Sequence, residues 1–401
     1  MTNNELISKF IEVFGGTPTN LRAFAAPGRV NLIGEHTDYN GGFVFPAALS
    51  VGTTLVARKR DDSLIRMAVT DLPDFVEVDF EAYDILDEYK DLHWGSYQVG
   101  VAKELVKEGY AISGCDLLYH DTVPHGGGLS SSAAIEIATA VALTALASSD
   151  ENAKVLDSVD AARISQMAEH NFIGVKCGIM DQFASSMGKK DHAIFLNCKD
   201  LSFEYVPIVL DGYKIVVSNT KVKRSLATSK YNERRAECES GLKILKTKLD
   251  EITCLGDLSI EAFNLYKFSI EDKIVRKRCE HVVCEDDRVL RSIKALHDGD
   301  LVEFGALMNA SHDSLRDLYE VTGIELDTMV SEARRIDGVL GSRMTGAGFG
   351  GCTVSIVADD SVEKFIAQVG SNYFKITGIL PEFYVSEIGD GGREVSLEDA
   401  F

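Results

Sequence analysis

None of the eight cysteines forms a C-x-x-C pair, and the opening residues, MTNNELISKF, hold no secretory leader. Free thiols in a reducing compartment are the simplest reading, so a cytoplasmic location is expected. No apolar run reaches the roughly 18 uninterrupted residues of a membrane span, because the one candidate helix, after Ser132, is broken by Glu136 and threonines. Basic residues are few, 41 Lys and Arg against 62 Asp and Glu, for a formal charge of −21. Such a surface repels nucleic acid and anionic lipid. It disfavours an anionic nucleotide too, so any phosphate site has to be locally basic or carry a metal. Internal repeats, low-complexity segments and Pro-rich linkers are also missing. A length of 401 residues fits two domains, with one large α/β domain as the alternative. The expected division, 1–200 and 201–401, rests only on a change from strand-rich sequence to long charged helical stretches.

What is present centres on PHGGGLSSSAAIEIATAVALTALA, Pro124 to Ala147. Gly126, Gly127 and Gly128 let the backbone curl, and after Leu129 the serines Ser130, Ser131 and Ser132 stand where a helix begins. From Ala133 to Leu146 the only charge is Glu136, which predicts a buried helix. The first turn of such a helix has free N–H groups and a partial positive charge, a place for phosphate. A glycine-rich turn capping a core helix is the plain alternative. No Lys follows, as a Walker A loop requires, and no Gly-x-Ser-x-Gly elbow is formed.

The stretch from Arg29 to Asp38 interleaves Asn31, Glu35, His36, Thr37 and Asp38 with Gly34 and small apolar residues. These groups can hydrogen-bond a polyhydroxylated ligand, although a solvated charged loop has the same composition. Thr53–Arg58, Ser63–Val69 and Phe75–Phe80 read as strands of an antiparallel sheet, and Trp94 as a core anchor more than a purine platform. Glu169 and His170 end a predicted helix. Asp181 lies near a helix start, where a capping role is the ordinary explanation. Lys221, Lys223, Arg224, Lys230, Arg234 and Arg235 form a locally basic segment, expected to be a solvated helix face. Gly346-x-Gly348-x-x-Gly351 matches the dinucleotide fingerprint but precedes a strand, Cys352 to Ala358, so it is read as a second glycine wall at the active site.

Together these segments resemble the galactokinase family of the GHMP small-molecule kinases. PGRVNLIGEHTDYN, Pro27 to Asn40, looks like that family's signature; GGGLSSSAA, Gly126 to Ala134, is similar to its phosphate loop, and TGAGFGGC, Thr345 to Cys352, to its third motif. CGIMDQF, KYNERRAEC and SHDSLRDLYEV, beginning at Cys177, Lys230 and Ser311, also match, so the likeness spans about residues 20 to 360. It implies an α+β two-domain GHMP kinase fold, with a ribosomal-S5-domain-2-like N-terminal domain, a ferredoxin-like C-terminal domain and the active site between them. It also implies transfer of the ATP γ-phosphoryl group to the C1 hydroxyl of α-D-galactose. In that scheme Asp181 is the catalytic base, Arg29 stabilises the transferring charge, and Glu35, His36, Thr37, Asp38 and Tyr231 hold the sugar. Gly126 to Ser132 wrap ATP, and Ser132 with Glu169 bind Mg²⁺. The partners expected are galactose and ATP, with no nucleic acid, no membrane and a monomeric chain. Arg224 replaces a common His, and Thr322-Gly323-Ile324 a common Ser-Cys-Pro.

Another sugar as acceptor remains open, since pocket size is set outside the motifs. A non-catalytic sensor of sugar and nucleotide would have no need of Ser132, Glu169 and Asp181 together. A serine hydrolase using Ser131 lacks a paired His.

Overall fold

The computed structural model describes residues 1–73, 75–81, 89, 92, 94–123, 127–147, 154–222 and 227–398. In chain order the N-terminal elements are α1 (Asn3–Phe14), β1 (Arg22–Asn31), β2 (Phe43–Val44), β3 (Pro46–Lys59), β4 (Leu64–Val69), β5 (Phe75–Asp79), α2 (Gly95–Lys107), β6 (Cys115–Asp121), α3 (Ser131–Ala147), α4 (Ser158–Ala168), α5 (Met180–Met187) and β7 (His192–Asn197). There follow β8 (Phe203–Pro207), β9 (Tyr213–Asn219), α6 (Ala227–Leu245), α7 (Ile260–Tyr266), α8 (Lys273–His297), α9 (Leu301–Ser314), α10 (Ile324–Ala333), β10 (Val339–Thr345), β11 (Cys352–Ala358), α11 (Val362–Thr377), β12 (Glu382–Ser386) and β13 (Arg393–Val395).

Local sequence accounts for many of the ends. Thr2 and Glu5 close a capping box on α1, which Gly15 terminates in the left-handed region at φ 73°. Helix α3 buries residues on every side, as its lack of polar positions predicts. Its Ile137, Ala138 and Leu143 pack with Phe24, Leu55 and Leu117 of the sheet and Val99 and Val101 of α2. Each large aliphatic chain sealed there contributes about 1.5–3 kcal/mol.

Three sheets result, with strand orders β13-β1-β3-β6-β4-β5, β10-β11-β9-β12 and β2-β7-β8. The strands expected to form one antiparallel sheet instead belong to a mixed one. β6 inserts between β3 and β4, pairing antiparallel with the first and parallel with the second. β5, antiparallel to β4, brings the chain back to the end where β4 starts, and β5 with α2 together form the connection that lets β6 run parallel to β4. The division expected at residue 200 is crossed twice. β8 pairs with β7, and β13 returns from the C-terminus to pair with β1. The antiparallel four-stranded sheet carries α9 and α10 against β10, and α10 against α11. No helix among the described residues is long and apolar enough to cross a membrane.

Candidate active site

A cavity of about 390 Å³ opens where the start of α3, the start of α5, the loop after β1 and the β10–β11 turn meet. Gly128 (φ 75°) and the non-glycine Ser130 (φ 61°) turn the chain left-handed immediately before α3, which aims the helix start into the cavity. Left-handed non-glycine residues are uncommon and cluster at functional sites. Ser130 Oγ donates to Asp181 Oδ2. The other oxygen, Oδ1, accepts from Arg29 Nε at 2.9 Å and Nη2 at 2.6 Å, while Nη1 donates to the Gly128 carbonyl at 2.7 Å. The guanidinium is therefore fixed by three bonds, one of them to the glycine loop itself. Arg29 is almost fully buried, whereas the Asp181 side chain keeps 31% exposure toward the cavity.

At the start of α3, Ser132 Oγ donates to Glu169 Oε1 at 3.3 Å. Glu169 heads a single π-helical turn, Glu169–Ile173. Gln182 Nε2 donates to Glu169 Oε1 and Glu136 Oε2, each at 3.1 Å. Burial and then the Asp181 charge push the Glu169 carboxyl to about 7, and burial raises Glu136 strongly. Glu136 Oε1 and Gln182 Oε1 have no hydrogen-bond partner among the described residues. Ser132 and Glu169 are adjacent hard oxygen donors facing the cavity, a donor set that fits Mg²⁺ completed by water and phosphate oxygens. Among the described residues no group of three or more His, Cys, Asp or Glu forms a closed metal site.

The opposite wall comes from the loop after β1. Glu35, nearly inaccessible, accepts from the Gly346 N–H at 2.7 Å and lies 3.5 Å from Arg343 Nη1; burial raises its pKa. Behind it, Glu285 Oε1 accepts from the Gly34 N–H at 2.9 Å and Ser311 Oγ at 2.5 Å. Asp38 is pushed to about 7 by burial, then by the Asp181 charge. A Cβ at Gly178 would lie 1.7 Å from its Oδ2, so only glycine admits that carboxylate. A Cβ at Gly346 would lie 2.9 Å from the Gly128 carbonyl, so the two glycine turns touch as the sequence pattern predicts. His36 is left-handed at φ 64°, and both ring nitrogens are engaged, with Tyr39 Oη and the Ala347 carbonyl. Tyr231 lines the cavity with its ring 5.6 Å from that of His36.

Arg29, Glu35, His36, Asp38, Gly128, Ser130, Ser131, Ser132, Glu169, Asp181 and Tyr231 are thus brought to one cavity. Thr37, Gly127 and Leu129 do not line it. The Thr37 hydroxyl lies 2.6 Å from the Phe43 carbonyl and 2.9 Å from the Gly34 carbonyl, which share its one hydrogen, and braces the turn from within. Leu129 is buried, with its carbonyl accepting from the Arg29 N–H. Gly126, Lys223 and Arg224 lie outside the described residues. Arg234 is no solvated residue: it is buried, and its Nε donates to the Tyr319 carbonyl at 2.7 Å. Trp94 packs edge-on to Tyr119, centroids 6.4 Å apart, beside the N-terminal core. Tyr97, Cys177, Met180 and Gln182 also line the cavity. Nothing in their spacing signals this; of the other buried groups, Glu136 alone stood out, as the single charge of an apolar helix.

Three family models match the chain: the galactokinase galactose-binding signature at residues 8–59, the GHMP kinase N-terminal domain at 96–189 and the GHMP kinase C-terminal domain at 292–376. A galactokinase of Clostridium tetani is 47% identical over 396 residues, 98% of each chain, and one of Fusobacterium nucleatum 48% over 391 residues, covering 97% of this chain and 99% of its own. The crystal structure of Lactococcus lactis galactokinase complexed with galactose superimposes with a TM-score of 0.91 at 42% identity, covering 98% of this chain and 99% of its own. Mevalonate kinase of Methanococcus jannaschii shares the fold, with a TM-score of 0.63 at 18% identity over 92% of this chain and 98% of its own. The molecule therefore has the two-domain GHMP kinase fold, and the chain belongs to the galactokinase family.

Proposed function

We propose that the chain transfers the γ-phosphoryl group of ATP to the C1 hydroxyl of α-D-galactose, with Asp181 as base or orienting carboxylate. The observation that carries this reading is the fork of Arg29 on Asp181, set between an oxygen-donor wall at Ser132 and Glu169 and a carboxylate wall at Glu35 and Asp38. A sugar hydroxyl is a poor nucleophile, and a carboxylate within reach can take or direct its proton. Arg29 is already locked, so it offers positive charge to the transferring phosphoryl without reorganising. The first turn of α3 presents amides and the positive end of the helix dipole to phosphate. Ser132 and Glu169 would hold Mg²⁺, which when bound neutralises charge on the phosphates. Glu35 and Asp38 accept from sugar hydroxyls, and Tyr231 covers the ring. Because the Ser130 hydroxyl is donated to Asp181, it orients the carboxylate in place of acting as a nucleophile.

The test is ADP release with Mg-ATP across free hexoses, pentoses and N-acetylated sugars. Galactose should give the highest kcat/KM; no turnover with any sugar would leave only a binding role, and a stronger response to an N-acetylated sugar or a pentose would change the acceptor.

A further inference from the structure

The sugar-side imidazole ends a line of hydrogen bonds whose direction can be counted. His36 Nε2 lies 3.2 Å from the Ala347 carbonyl oxygen, and Nδ1 lies 2.9 Å from Tyr39 Oη. Tyr39 Oη is 2.8 Å from Tyr319 Oη, which is 3.2 Å from Cys238 Sγ. Burial, then the neighbouring His281, lowers the His36 pKa to about 3, so the ring carries a single N–H. A carbonyl oxygen only accepts, which places that hydrogen on Nε2 and leaves Nδ1 bare to accept from Tyr39. Tyr39 then has no hydrogen left for Tyr319, so Tyr319 donates to Tyr39. Tyr319 in turn has none for sulfur, and the Cys238 thiol donates to Tyr319. Burial keeps all three groups protonated, raising both phenols well above their ordinary value and the thiol to about 12.

Tyr319 reaches this position through a second π-helical turn, Leu315–Tyr319, followed by Glu320 at φ 56°. Such turns are rare and recur at functional sites. Two arginines hold it: Arg234 Nε donates to the Tyr319 carbonyl at 2.7 Å, and Arg278 Nη1 to the Leu318 carbonyl at 2.6 Å. The fully buried Tyr319 ring lies between two imidazoles, 4.8 Å from His36 and 4.5 Å from His281. His281 obeys the same count. Its Nε2 faces the Glu35 carbonyl at 3.1 Å, and its Nδ1 accepts from Ser314 Oγ at 2.8 Å.

We propose that Tyr319, backed by Cys238, is a positioning residue for the sugar site: by donating into Tyr39 it locks His36 as the Nε2–H tautomer and so ties the Glu35–Asp38 turn to the Gly346–Ala347 turn. This rests on the reading of that wall as the sugar site. It also changes the part played by His36, whose nitrogens are both used, so hydroxyl recognition falls to Glu35 and Asp38.

The proton direction is tested by ¹⁵N NMR of the ligand-free protein with labelled histidine, the His36 signals being those lost in His36→Gln. A hydrogen on Nε2 is expected, and one on Nδ1 overturns the proposal whatever the substrate. Tyr319→Phe should raise the galactose KM about five- to tenfold while the ATP KM stays within about twofold, the scale of one buried hydrogen bond. Equal rises in both would make the residue merely structural and overturn the positioning role. Cys238→Ser, which still donates, should stay within about twofold of the parent galactose KM, and Cys238→Ala should raise it about threefold. Indistinguishable Ser and Ala variants would remove the thiol from the line. If the unaltered protein phosphorylates no galactose, the sugar reading falls, and the NMR result still decides the direction.

Discussion

The two walls of the cavity, one proposed for phosphate and one for sugar, are built in opposite ways. The phosphate wall is short in sequence: Gly128 to Ser132 supply the turn, the helix start and one of the two oxygen donors proposed for Mg²⁺, and Asp181 with Gln182 open α5. The sugar wall is gathered from across the chain, with Glu35 and His36 backed by His281, Glu285, Tyr319 and Arg343. The phosphate wall sets the buried Arg29 guanidinium against the partly exposed Asp181 at the cavity, although burial raises Glu169 and Glu136 there too. In the sugar wall, burial has made both imidazoles neutral and raised Glu35 and Asp38. The contrast suits the ligands: a polyphosphate is recognised by charge and dipole, whereas an uncharged sugar is recognised by hydrogen bonds whose direction must be set beforehand.

The strongest way to break that comparison is at the point where the walls meet. Asp181→Asn keeps the shape and a hydrogen-bond acceptor for Arg29 but removes the charge. Turnover should fall about 10²- to 10⁴-fold, with galactose affinity by titration changed far less. Unchanged turnover would take Asp181 out of the chemistry.

Asp38→Ala tests the sugar wall alone. Among the described residues Asp38 has one hydrogen bond, Oδ1 accepting from the Tyr39 N–H at 2.9 Å, and burial already disfavours its charge. Losing it should therefore not unfold the protein, while the galactose KM rises about tenfold, the upper end for one buried hydrogen bond between uncharged groups. The ATP KM should stay within about threefold. Parallel losses in both constants would mean that the two walls do not divide the substrates.

The same contrast explains what could be read from the sequence. Glycine turns, a helix with one charge, and a strand that follows a glycine loop in place of a helix are local patterns, and each is present as expected. The order of the large sheet was not local. Nothing in Ser63–Val69 says that β6, far along the chain, will insert beside it. Nor does the Asn219–Cys238 stretch show which of its cations is buried; Arg234 is distinguished only by the Tyr319 and Glu320 carbonyls it meets. Thr37 belongs to the sugar motif and yet turns inward, because alternation within a tight turn is set by the turn and not by strand periodicity.

The smallest expected effect concerns a carboxyl behind the sugar side that burial keeps protonated. Asp286, behind that wall, accepts from the Phe43 N–H at 2.8 Å through Oδ1, while Oδ2 has no partner among the described residues. Burial, then the charge of Glu285 working against the Phe43 bond, pushes its carboxyl from 3.8 to about 8. The folded chain thus keeps a proton that the unfolded chain has lost, so this contribution is complete below about pH 4 and drains away as pH rises to about 8. Within that window one such group lowers stability by about 1.4 kcal/mol per pH unit. His36 and His281, depressed to about 3 and about 4 from 6.5, act in the opposite sense, but their contribution is complete above about pH 6.5. Urea unfolding of the ligand-free protein between about pH 6.5 and about pH 8 therefore isolates the carboxyls. Asp286→Asn, the neutral isostere, should flatten the decline by roughly that one-proton slope. An undiminished slope would show that Asp286 is ionised in the folded protein, a second buried carboxylate beside Glu285.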